Sequence, residues 1–440
     1  MIRRTVIAFV SAALMWSLVL GQGVAGASVS TASAATPQLG TSGTDGSIET
    51  VRQIVQCGST MYAVGLFSRV RNPNSATLIT RNNAFSFRAT APYTVSTWNP
   101  NVNGRVDTVA CGVDGTYVLL GGTFTSVNGT AVRNLAKVST STGAVMPFSF
   151  QPTGRVAHVE VVTDAGGVRH LLVGGYFTGL LDSRNPVTGA DDGYGTPAIT
   201  GTYQYEGVVS HARRIWNMTV SPNGRAVLMS GVFTSVGGQR HEQLFRLNLT
   251  AGSSTVSAWT PRELFTHCVG RQPYYAQDAV WSPDMTRIYT ATTGFRTAAE
   301  QALPSNQRPQ TRSGPCDALI SYPATETAFD GHQWINYTGC DSLYSVAADA
   351  TTVFAGGHQR WVSNGNACDR AGTGSFPSPG LSHVSPTDGA RQAGATRGRG
   401  LGAADLLRTS AGLWVASDNQ ANTSSCGGSS QRMGICFLPN

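Results

Sequence analysis

The chain has 440 residues, of which 41% are hydrophobic and only 12% charged, and its 31 Lys+Arg against 24 Asp+Glu give a formal net charge of +7. Such a chain is too apolar to be disordered and long enough to bury a sizeable core. No apolar run of membrane-spanning length follows the N-terminus, which argues against an integral membrane protein.

The N-terminus has the order typical of a secretory signal peptide. It combines a basic start, a mostly apolar stretch and two small-residue cleavage motifs, at Arg3 and Arg4, residues 5–20, Ala25-Gly26-Ala27 and Ala32-Ser33-Ala34. We predict a signal peptide over residues 1–34, cleaved after residue 27 or 34, and one secreted domain over residues 35–440. Whether the protein stays associated with the cell wall is left open.

The basic residues are spread along the chain. Lys137 is the only lysine, so 30 of the 31 basic residues are arginines, and they come closest together at Arg397 and Arg399. Nucleic-acid binding needs a basic stripe with aromatic platforms. We therefore interpret the arginines as a solvated face and expect no nucleic-acid partner.

One pattern recurs along the chain, an apolar run followed by a glycine pair or its equivalent. Its copies end at Phe67, Phe124, Phe177, Phe233, Phe295, Gln359 and Asn419, which are 57, 53, 56, 62, 64 and 60 residues apart. An alternating strand and a polar turn precede each of the clearer copies, and two further strands follow. Four strands per repeat at this period predict an all-β, seven-bladed β-propeller with four-stranded antiparallel blades.

The glycine pairs and the phenylalanines have structural interpretations. Glycine inside a strand indicates a bulge or a close backbone approach, which we expect near the crowded axis, and the phenylalanine should pack between blades. The seventh copy ends at its third strand, in residues 434–439, and an open ring would leave unpaired edges. We predict that residues 37–48 supply the missing strand, so that the N-terminal segment closes the ring against the last blade.

Two copies carry a resemblance to a known repeat. They read Gly121-Gly-Thr-Phe-Thr-Ser-Val-Asn-Gly129 and Gly231-Val-Phe-Thr-Ser-Val-Gly-Gly238. These segments resemble the delta-60 type of bacterial β-propeller repeat, which is common in secreted actinobacterial proteins. The resemblance implies a propeller and carries no catalytic residues that could be transferred to this chain.

The eight cysteines of an exported chain suggest disulfides. Their places in the predicted blades favour sequential pairing, of Cys57 with Cys111, Cys268 with Cys316, Cys340 with Cys368, and Cys426 with Cys436. A close Cys-x-x-Cys pair is absent from the sequence, so we expect no zinc or other metal site.

Long loops should gather on one face of the propeller. The longest connections between second and third strands fall in residues 179–197, 296–315, 358–379 and 418–433. Loops carry binding more often than scaffolds do, so this face is our predicted functional surface. In the first loop Asp182, Asp191 and Asp192 could hold calcium, but a solvated loop is the favoured interpretation.

Two groups of residues on this face are candidates for ligand binding. The first is His358, Arg360 and Trp361, and the second is Tyr274, Tyr275 and Asp278. Aromatic faces beside hydrogen-bonding groups suit sugar rings. The alternative for both groups is packing between blades.

Signatures of catalysis are absent from the sequence. It contains no nucleophile elbow, zinc-protease motif or phosphate loop. We predict a non-catalytic, monomeric extracellular binding or scaffold protein without a cofactor, whose partner is a glycan or a cell-surface protein. The alternative is a carbohydrate-active enzyme, a glycoside hydrolase or lyase, that uses loop carboxylates such as Asp182, Asp191, Glu300 and Asp369.

Overall fold

Strands dominate the computed structural model, which describes residues 28–40, 48–202, 212–266, 275–294, 302–304, 307, 314–420, 425–428 and 431–440. Within these ranges, seven sheets follow one another along the chain and are called blades 1 to 7. Their strands, from the first strand outward, are as follows: Thr50–Cys57, Thr60–Leu66 and Ala84–Arg88 in blade 1; Arg105–Cys111, Tyr117–Thr123, Leu135–Ser139 and Val145–Met146 in blade 2; Val156–Thr163, Arg169–Gly175 and Leu181–Arg184 in blade 3; Arg214–Val220, Ala226–Val232, Leu244–Thr250 and Ser253–Val256 in blade 4; Tyr275–Trp281, Arg287–Thr293, Ala318–Pro323 and Trp334–Tyr337 in blade 5; Leu343–Ala348, Val353–Gly357 and Leu381–Val384 in blade 6; Asp405–Thr409, Gly412–Ala416 and Ile435–Pro439 in blade 7.

The blades form a ring. The first strands of successive blades contact one another, and the first strand of blade 7 contacts that of blade 1. The prediction of an all-β propeller is therefore confirmed. Short strands decorate the loops, at Gln38–Leu39, Arg69–Arg71, Leu78–Thr80, Ser126–Val127, Thr130–Ala131, Ile199–Thr200, Ser235–Val236, Gln239–Arg240, Thr260–Pro261, Ala328–Phe329, Trp361–Val362 and Phe376–Pro377, with one 3-10 helix at Arg262–Phe265.

The fourth strand is not present in every blade, contrary to the prediction. Blades 2, 4 and 5 have four strands, whereas a single bridge replaces the outermost strand in blades 1, 3 and 6. These bridges join Phe87 to Val95, Arg184 to Asp191, and Val384 to Arg391. The outermost segment has a neighbour on one side only, so it can leave the sheet after one pair.

The N-terminal segment lies along the third strand of blade 7. Ser30 N donates to Pro439 O at 2.6 Å, Ala34 N donates to Phe437 O at 2.9 Å, and Thr36 Oγ1 donates to Ile435 O at 2.8 Å. The predicted boundaries, residues 37–48, were wrong, and residues 41–47 lie outside the described residues. The physical reason is distance, because this edge of blade 7 is far from Thr50, where the first strand of blade 1 begins beside the central cavity.

The glycine pairs lie on the second strands of the blades. A Cβ on Gly121 would lie 2.6 Å from Val156 Cγ1 of the next blade, and one on Gly122 would lie 2.2 Å from the carbonyl oxygen of Arg105. The missing side chain of the first glycine lets the neighbouring blade pack closely, and that of the second leaves room for the bulge in the first strand. Phe124 packs in a buried cluster with residues of blades 1 and 2, as expected.

Three cysteine pairs are neighbours in chain order. Their Cα–Cα distances are 5.7, 5.1 and 6.2 Å, for Cys57 with Cys111, Cys340 with Cys368, and Cys426 with Cys436. The fourth predicted pair includes Cys268, which lies outside the described residues. Cys57 and Cys111 end the first strands of blades 1 and 2, so their disulfide joins these two strands at the end opposite their start.

Candidate functional site

A β-bulge interrupts the first strand of blades 1 to 6 at the same position in the register. A bulge turns one side chain out of the regular alternation of the sheet. The bulged residues all line one central cavity, and they are Arg52, Asp107, Ala157, Trp216, Gln277 and Tyr344. Blade 7 adds Ala404 and Asp405 to the lining. The repeat therefore builds a ring of positions whose side chains differ from blade to blade.

The cavity has a volume of about 380 Å³ and lies on the axis, where the first strands begin. In an antiparallel blade this end also carries the loops between the second and third strands. The cavity therefore lies on the face that the sequence predicts to be functional. Its lining combines the aromatic rings of Tyr176, Trp216 and Tyr344 with charged and amide side chains.

Polar side chains near the start of the first strands join neighbouring blades. Each accepts a backbone N–H from the first strand of the next blade, as Gln53 does from Val109 (2.7 Å), Thr108 from Val159 (3.2 Å), Asp278 from Val346 (2.8 Å) and Asp405 from Ile54 (2.9 Å). The last of these bonds runs from blade 7 to blade 1. These side chains thus connect the ring at its axis while three of them also face the cavity.

Two buried carboxyl groups lie on the side of the cavity formed by blades 5 to 7. Burial, and to a smaller extent the charge of Asp405, raises the pKa of Asp278 to about 7. Burial likewise raises the pKa of Asp405 to about 6. The Asn217 amide donates a hydrogen bond to Asp278 Oδ1. At neutral pH this side therefore holds a carboxyl group that can donate a proton.

Arginines gather on the opposite side of the cavity. Three of them occupy equivalent places in blades 2, 3 and 4, where each precedes the residue that pairs with a second-strand glycine; they are Arg105, Arg155 and Arg214. Blade 1 contributes its bulged residue, Arg52. We call these four residues the arginine wall. Arg52 and Arg155 line the cavity, whereas Arg105 and Arg214 contact residues that line it.

One buried carboxylate faces three of these arginines. Asp107, whose side chain is 4% exposed, accepts Arg105 Nε at 2.6 Å and Arg155 Nε at 2.8 Å, and Arg52 Nε lies 3.1 Å away. Burial and the charges of the Arg105 and Arg155 guanidiniums lower the pKa of Arg52 to about 10, and the attraction of Asp107 opposes this lowering only in part. The cluster therefore carries more positive than negative charge.

Arg214 lies against aromatic rings. Its guanidinium lies 5.1 Å from the ring centroid of Tyr176 and 5.3 Å from that of Trp216, and Arg155 lies 4.7 Å from Tyr176 on the same ring. Among the residues that the structure describes, no carboxylate pairs with Arg214, and its Nε is buried without a hydrogen-bond partner. Trp216 is held by a hydrogen bond from its Nε1 to Ala276 O at 2.9 Å.

Three of the predicted ligand residues form a separate cluster. Arg360 donates to both carboxylate oxygens of Asp341 at 2.8 Å and to Asp369 at 2.5 Å, and its guanidinium lies 4.6 Å from the Trp361 ring centroid. The half-buried His358 lies beside this network, and burial lowers the pKa of its imidazole. None of His358, Arg360 and Trp361 lines the central cavity.

Two of the other three predicted residues lie at or near the central cavity. Asp278 lines the cavity, and Tyr275 contacts Trp216 edge to face with ring centroids 5.3 Å apart. Tyr274 lies outside the described residues. The structure thus brings Asp278 and Tyr275 to the cavity region and separates them from the His358 group.

The arginine wall and the aromatic residues of the cavity were not predicted from the sequence. The interpretation of scattered arginines as a solvated face is wrong for Arg52, Arg105 and Arg155, whose side chains are 37%, 29% and 27% exposed and converge on Asp107. Alignment of the repeats contains a signal, because Gly104-Arg105-Val106 and Gly154-Arg155-Val156 occupy the same place in successive copies. Their convergence depends on the closed ring, which brings residues of different repeats together.

The loop carboxylates named from the sequence do not meet in the cavity. Asp182 pairs with Arg184 at 2.7 Å, Asp191 is 78% exposed, and Asp192 accepts a hydrogen bond from Ser183 at 3.1 Å. Glu300 lies outside the described residues. In the described part of the chain, no three His, Cys, Asp or Glu side chains converge to form a metal site. Likewise, no helix within the described ranges is long and apolar enough to cross a membrane.

Comparisons with known proteins leave the chain without a family. No protein-family model matches it, and no curated protein matches it. Among solved structures, the chain is similar to the WD40 β-propeller domain of Doa1, with a TM-score of 0.46 and 11% sequence identity over 93% of this chain and 96% of that one. The function must therefore be argued from the cavity itself.

Proposed function

We propose that this protein is a secreted, non-catalytic binding protein that takes part of a saccharide into its central cavity. The observation that carries the proposal is the lining, in which Tyr176, Trp216 and Tyr344 stand beside amide and charged groups in a volume of about 380 Å³. That volume is within the range of small-molecule sites. Aromatic faces pack on the apolar faces of sugar rings while polar groups bond to the hydroxyls.

The aromatic part of the cavity is rigid. Trp216 is fixed by its hydrogen bond to Ala276 O and by the edge-to-face contact with Tyr275, both from the neighbouring blade. A side chain that is already ordered loses little conformational freedom when a ligand binds, which favours affinity. Binding rather than turnover is supported because the two cavity carboxyls accept backbone N–H groups between blades.

Secretion and repeat type are part of the same proposal. A basic start, an apolar stretch and small-residue cleavage motifs support export, and so do the three cysteine pairs, because disulfides persist in oxidising compartments. We place the repeats in the delta-60 type on the segments at Gly121–Gly129 and Gly231–Gly238.

Glycan-array binding of the full mature chain tests the proposal, with two tryptophan variants. We expect Trp216→Ala to lose binding to every saccharide that the wild type retains, because the stacking face is removed. Trp361→Ala is the matched control, since Trp361 is also half-buried but lies outside the cavity, and it should bind as the wild type does. Circular dichroism and melting temperature check that both variants are folded.

The outcomes separate the candidate sites. Loss of binding in Trp361→Ala with retention in Trp216→Ala would move the site to the His358 group. Binding of a cell-surface protein but of no saccharide would make the protein an interaction scaffold and overturn the proposal.

A carbohydrate-active enzyme is the second candidate function. The observation that favours it is the pair of buried cavity carboxyls, because a carboxyl with a raised pKa can act as a general acid. Incubation of the bound saccharides with the protein, followed by a reducing-end assay, tests this alternative. Turnover that disappears in Asp405→Asn would replace the binding function by catalysis.

A further inference from the structure

The arginine wall has more positive charge than the protein itself neutralises. Three guanidiniums, from Arg52, Arg105 and Arg155, share the single carboxylate of Asp107. Within the described residues, no second carboxylate forms an ion pair with any of the three. Like charges held this close repel one another, so the free protein holds an arrangement that costs stability unless an anion joins it.

Arg214 extends this imbalance. It stands at the same register position as Arg105 and Arg155, and its buried Nε has no partner among the described residues. Its guanidinium lies against the rings of Tyr176 and Trp216, both of which face the cavity. Arg214 therefore adds a positive charge directly behind two rings of the cavity, where it attracts an anion bound beside them.

The wall and the aromatic rings are parts of one surface. Tyr176 lies between the guanidiniums of Arg155 and Arg214, 4.7 and 5.1 Å from its ring centroid. A group that binds the arginines therefore lies next to whatever packs on Trp216. A guanidinium presents paired N–H donors that match the two oxygens of a carboxylate or sulfate group.

We propose that the arginine wall binds the carboxylate or sulfate group of an acidic saccharide whose ring packs on Trp216. This inference rests on the proposed function, because it names the chemical class of saccharide that the same cavity takes. The side of blades 5 to 7 takes no part in binding the anion, since Asp278 and Asp405 present carboxyl oxygens there.

Calorimetric titration with three oligosaccharides of one length tests the inference. The probes are trigalacturonate, sulfated galactotriose and neutral galactotriose, and sodium sulfate serves as the free anion. We expect at least one acidic probe to bind about tenfold to a hundredfold more tightly than galactotriose, which is what one to two charged hydrogen bonds provide. Added salt should weaken the binding of the acidic probes only.

Two variants remove charge from the wall and one removes a comparable charge elsewhere. Arg52→Met and Arg214→Met should each abolish the preference for the acidic probe, measured as the ratio of its affinity to that of galactotriose for the same variant. Arg246→Met is the matched control, because Arg246 lies 5.1 Å from the ring centroid of Trp281 outside the cavity. This control should keep the preference. Melting curves of all variants confirm folding, and Arg52→Met should be at least as stable as the wild type, because it relieves repulsion.

The possible failures are distinct. Equal binding of acidic and neutral probes would overturn the inference and leave saccharide binding intact. Sodium sulfate that binds as tightly as the sulfated probe would show a site for a free anion, which overturns the inference as well. Absence of binding by any saccharide, on the array and here, would overturn the proposed function together with it.

Discussion

Blades 1 to 4 and blades 5 to 7 form two chemically different sides of one cavity. The first group contributes the arginine wall, and the second contributes the buried carboxyls of Asp278 and Asp405. Arg52 is the bulged residue of blade 1 and Asp278 follows the bulge of blade 5, whereas Asp405 lies in blade 7, whose first two strands pair without a register shift. The repeat therefore determines the position of these side chains on the backbone, whereas the residue type at each position differs from blade to blade.

Blade 5 also differs from blade 4 in how it makes room for the bulge. In blade 4, Gly231 faces Ile215, whereas in blade 5 Thr292 faces Ala276 at the corresponding position. The Thr292 hydroxyl exchanges hydrogen bonds with the backbone of Ala318 at 3.0 Å. Blade 4 therefore needs a residue without a side chain at position 231, whereas blade 5 has the Thr292 side chain there and holds it by hydrogen bonds to Ala318.

The largest expected effect tests this difference in packing. An alanine Cβ at position 231 would lie 2.1 Å from the carbonyl oxygen of Arg214, so Gly231→Ala should lower the free energy of unfolding by about 3–5 kcal/mol. Thr292→Ala should cost about 1–2 kcal/mol, because it only removes hydrogen bonds. Chemical denaturation measures both.

A glycine without close neighbours is the control for this comparison. The nearest heavy atom to a Cβ at Gly195 would be 3.7 Å away, so Gly195→Ala should change stability little. If Gly231→Ala were as stable as Gly195→Ala, the bulge of blade 4 would not require a glycine at position 231.

The second expected effect concerns the charge of the arginine side. Asp107→Asn removes the carboxylate that three guanidiniums share and should lower the free energy of unfolding by about 2–3 kcal/mol, since the arginines keep part of their hydration. Denaturation at rising salt should recover part of this loss, because salt screens the remaining repulsion. The control Asp330→Asn breaks an exposed ion pair with Arg262 and should have no measurable effect. A loss that salt does not reduce would contradict the repulsion argument.

The smallest expected effect concerns the acid side. Folding raises the pKa of Asp278 from 3.8 to about 7. Between pH of about 4 and about 7, this carboxyl therefore holds its proton in the folded protein and has released it in the unfolded chain. Rising pH therefore favours the unfolded chain across this window, and the stability is lost progressively up to pH 7. We expect a fall of about 2 kcal/mol, roughly half of what the full pKa shift would give in a rigid dry site.

Denaturation of Asp278→Asn from pH 4 to pH 8 checks this expectation. In this variant the free energy of unfolding should decrease much less with rising pH. The decrease that remains belongs to Asp405, whose pKa is raised to about 6. Asp388→Asn, at an exposed aspartate, should keep the wild-type profile. An unchanged profile in Asp278→Asn would show that this carboxyl does not hold a proton in the folded protein.

The local part of the fold could be predicted from the sequence. Period-2 alternation, turn residues and the recurring glycine pair are set by backbone sterics within a few residues, so strands and repeat length are visible without a structure. Asp278 was predicted as a ligand residue because it is close to Tyr274 and Tyr275 in the sequence. In the structure it faces the cavity for a different reason, which is that it follows the bulge at Gln277. Trp216 was not predicted as a ligand residue, because its segment is an ordinary alternating strand in the sequence.

The closing strand shows the same limit. The missing strand of blade 7 was evident from the repeat, but its residues depend on how far the chain must travel to reach Thr50 at the axis, which is a three-dimensional quantity.

The sequence by itself determined that this chain is a ring of β-sheet repeats, because each strand and turn is encoded by neighbouring residues. Only the tertiary structure decided which side chains meet. Arg52, Arg105, Arg155 and Arg214 come from four repeats and converge because the first strands close around an axis. Arg52 is the bulged residue of blade 1, and the other three lie two residues before the bulge of their blades. Contacts between residues 50 or more positions apart depend on that closure, and no local pattern encodes them.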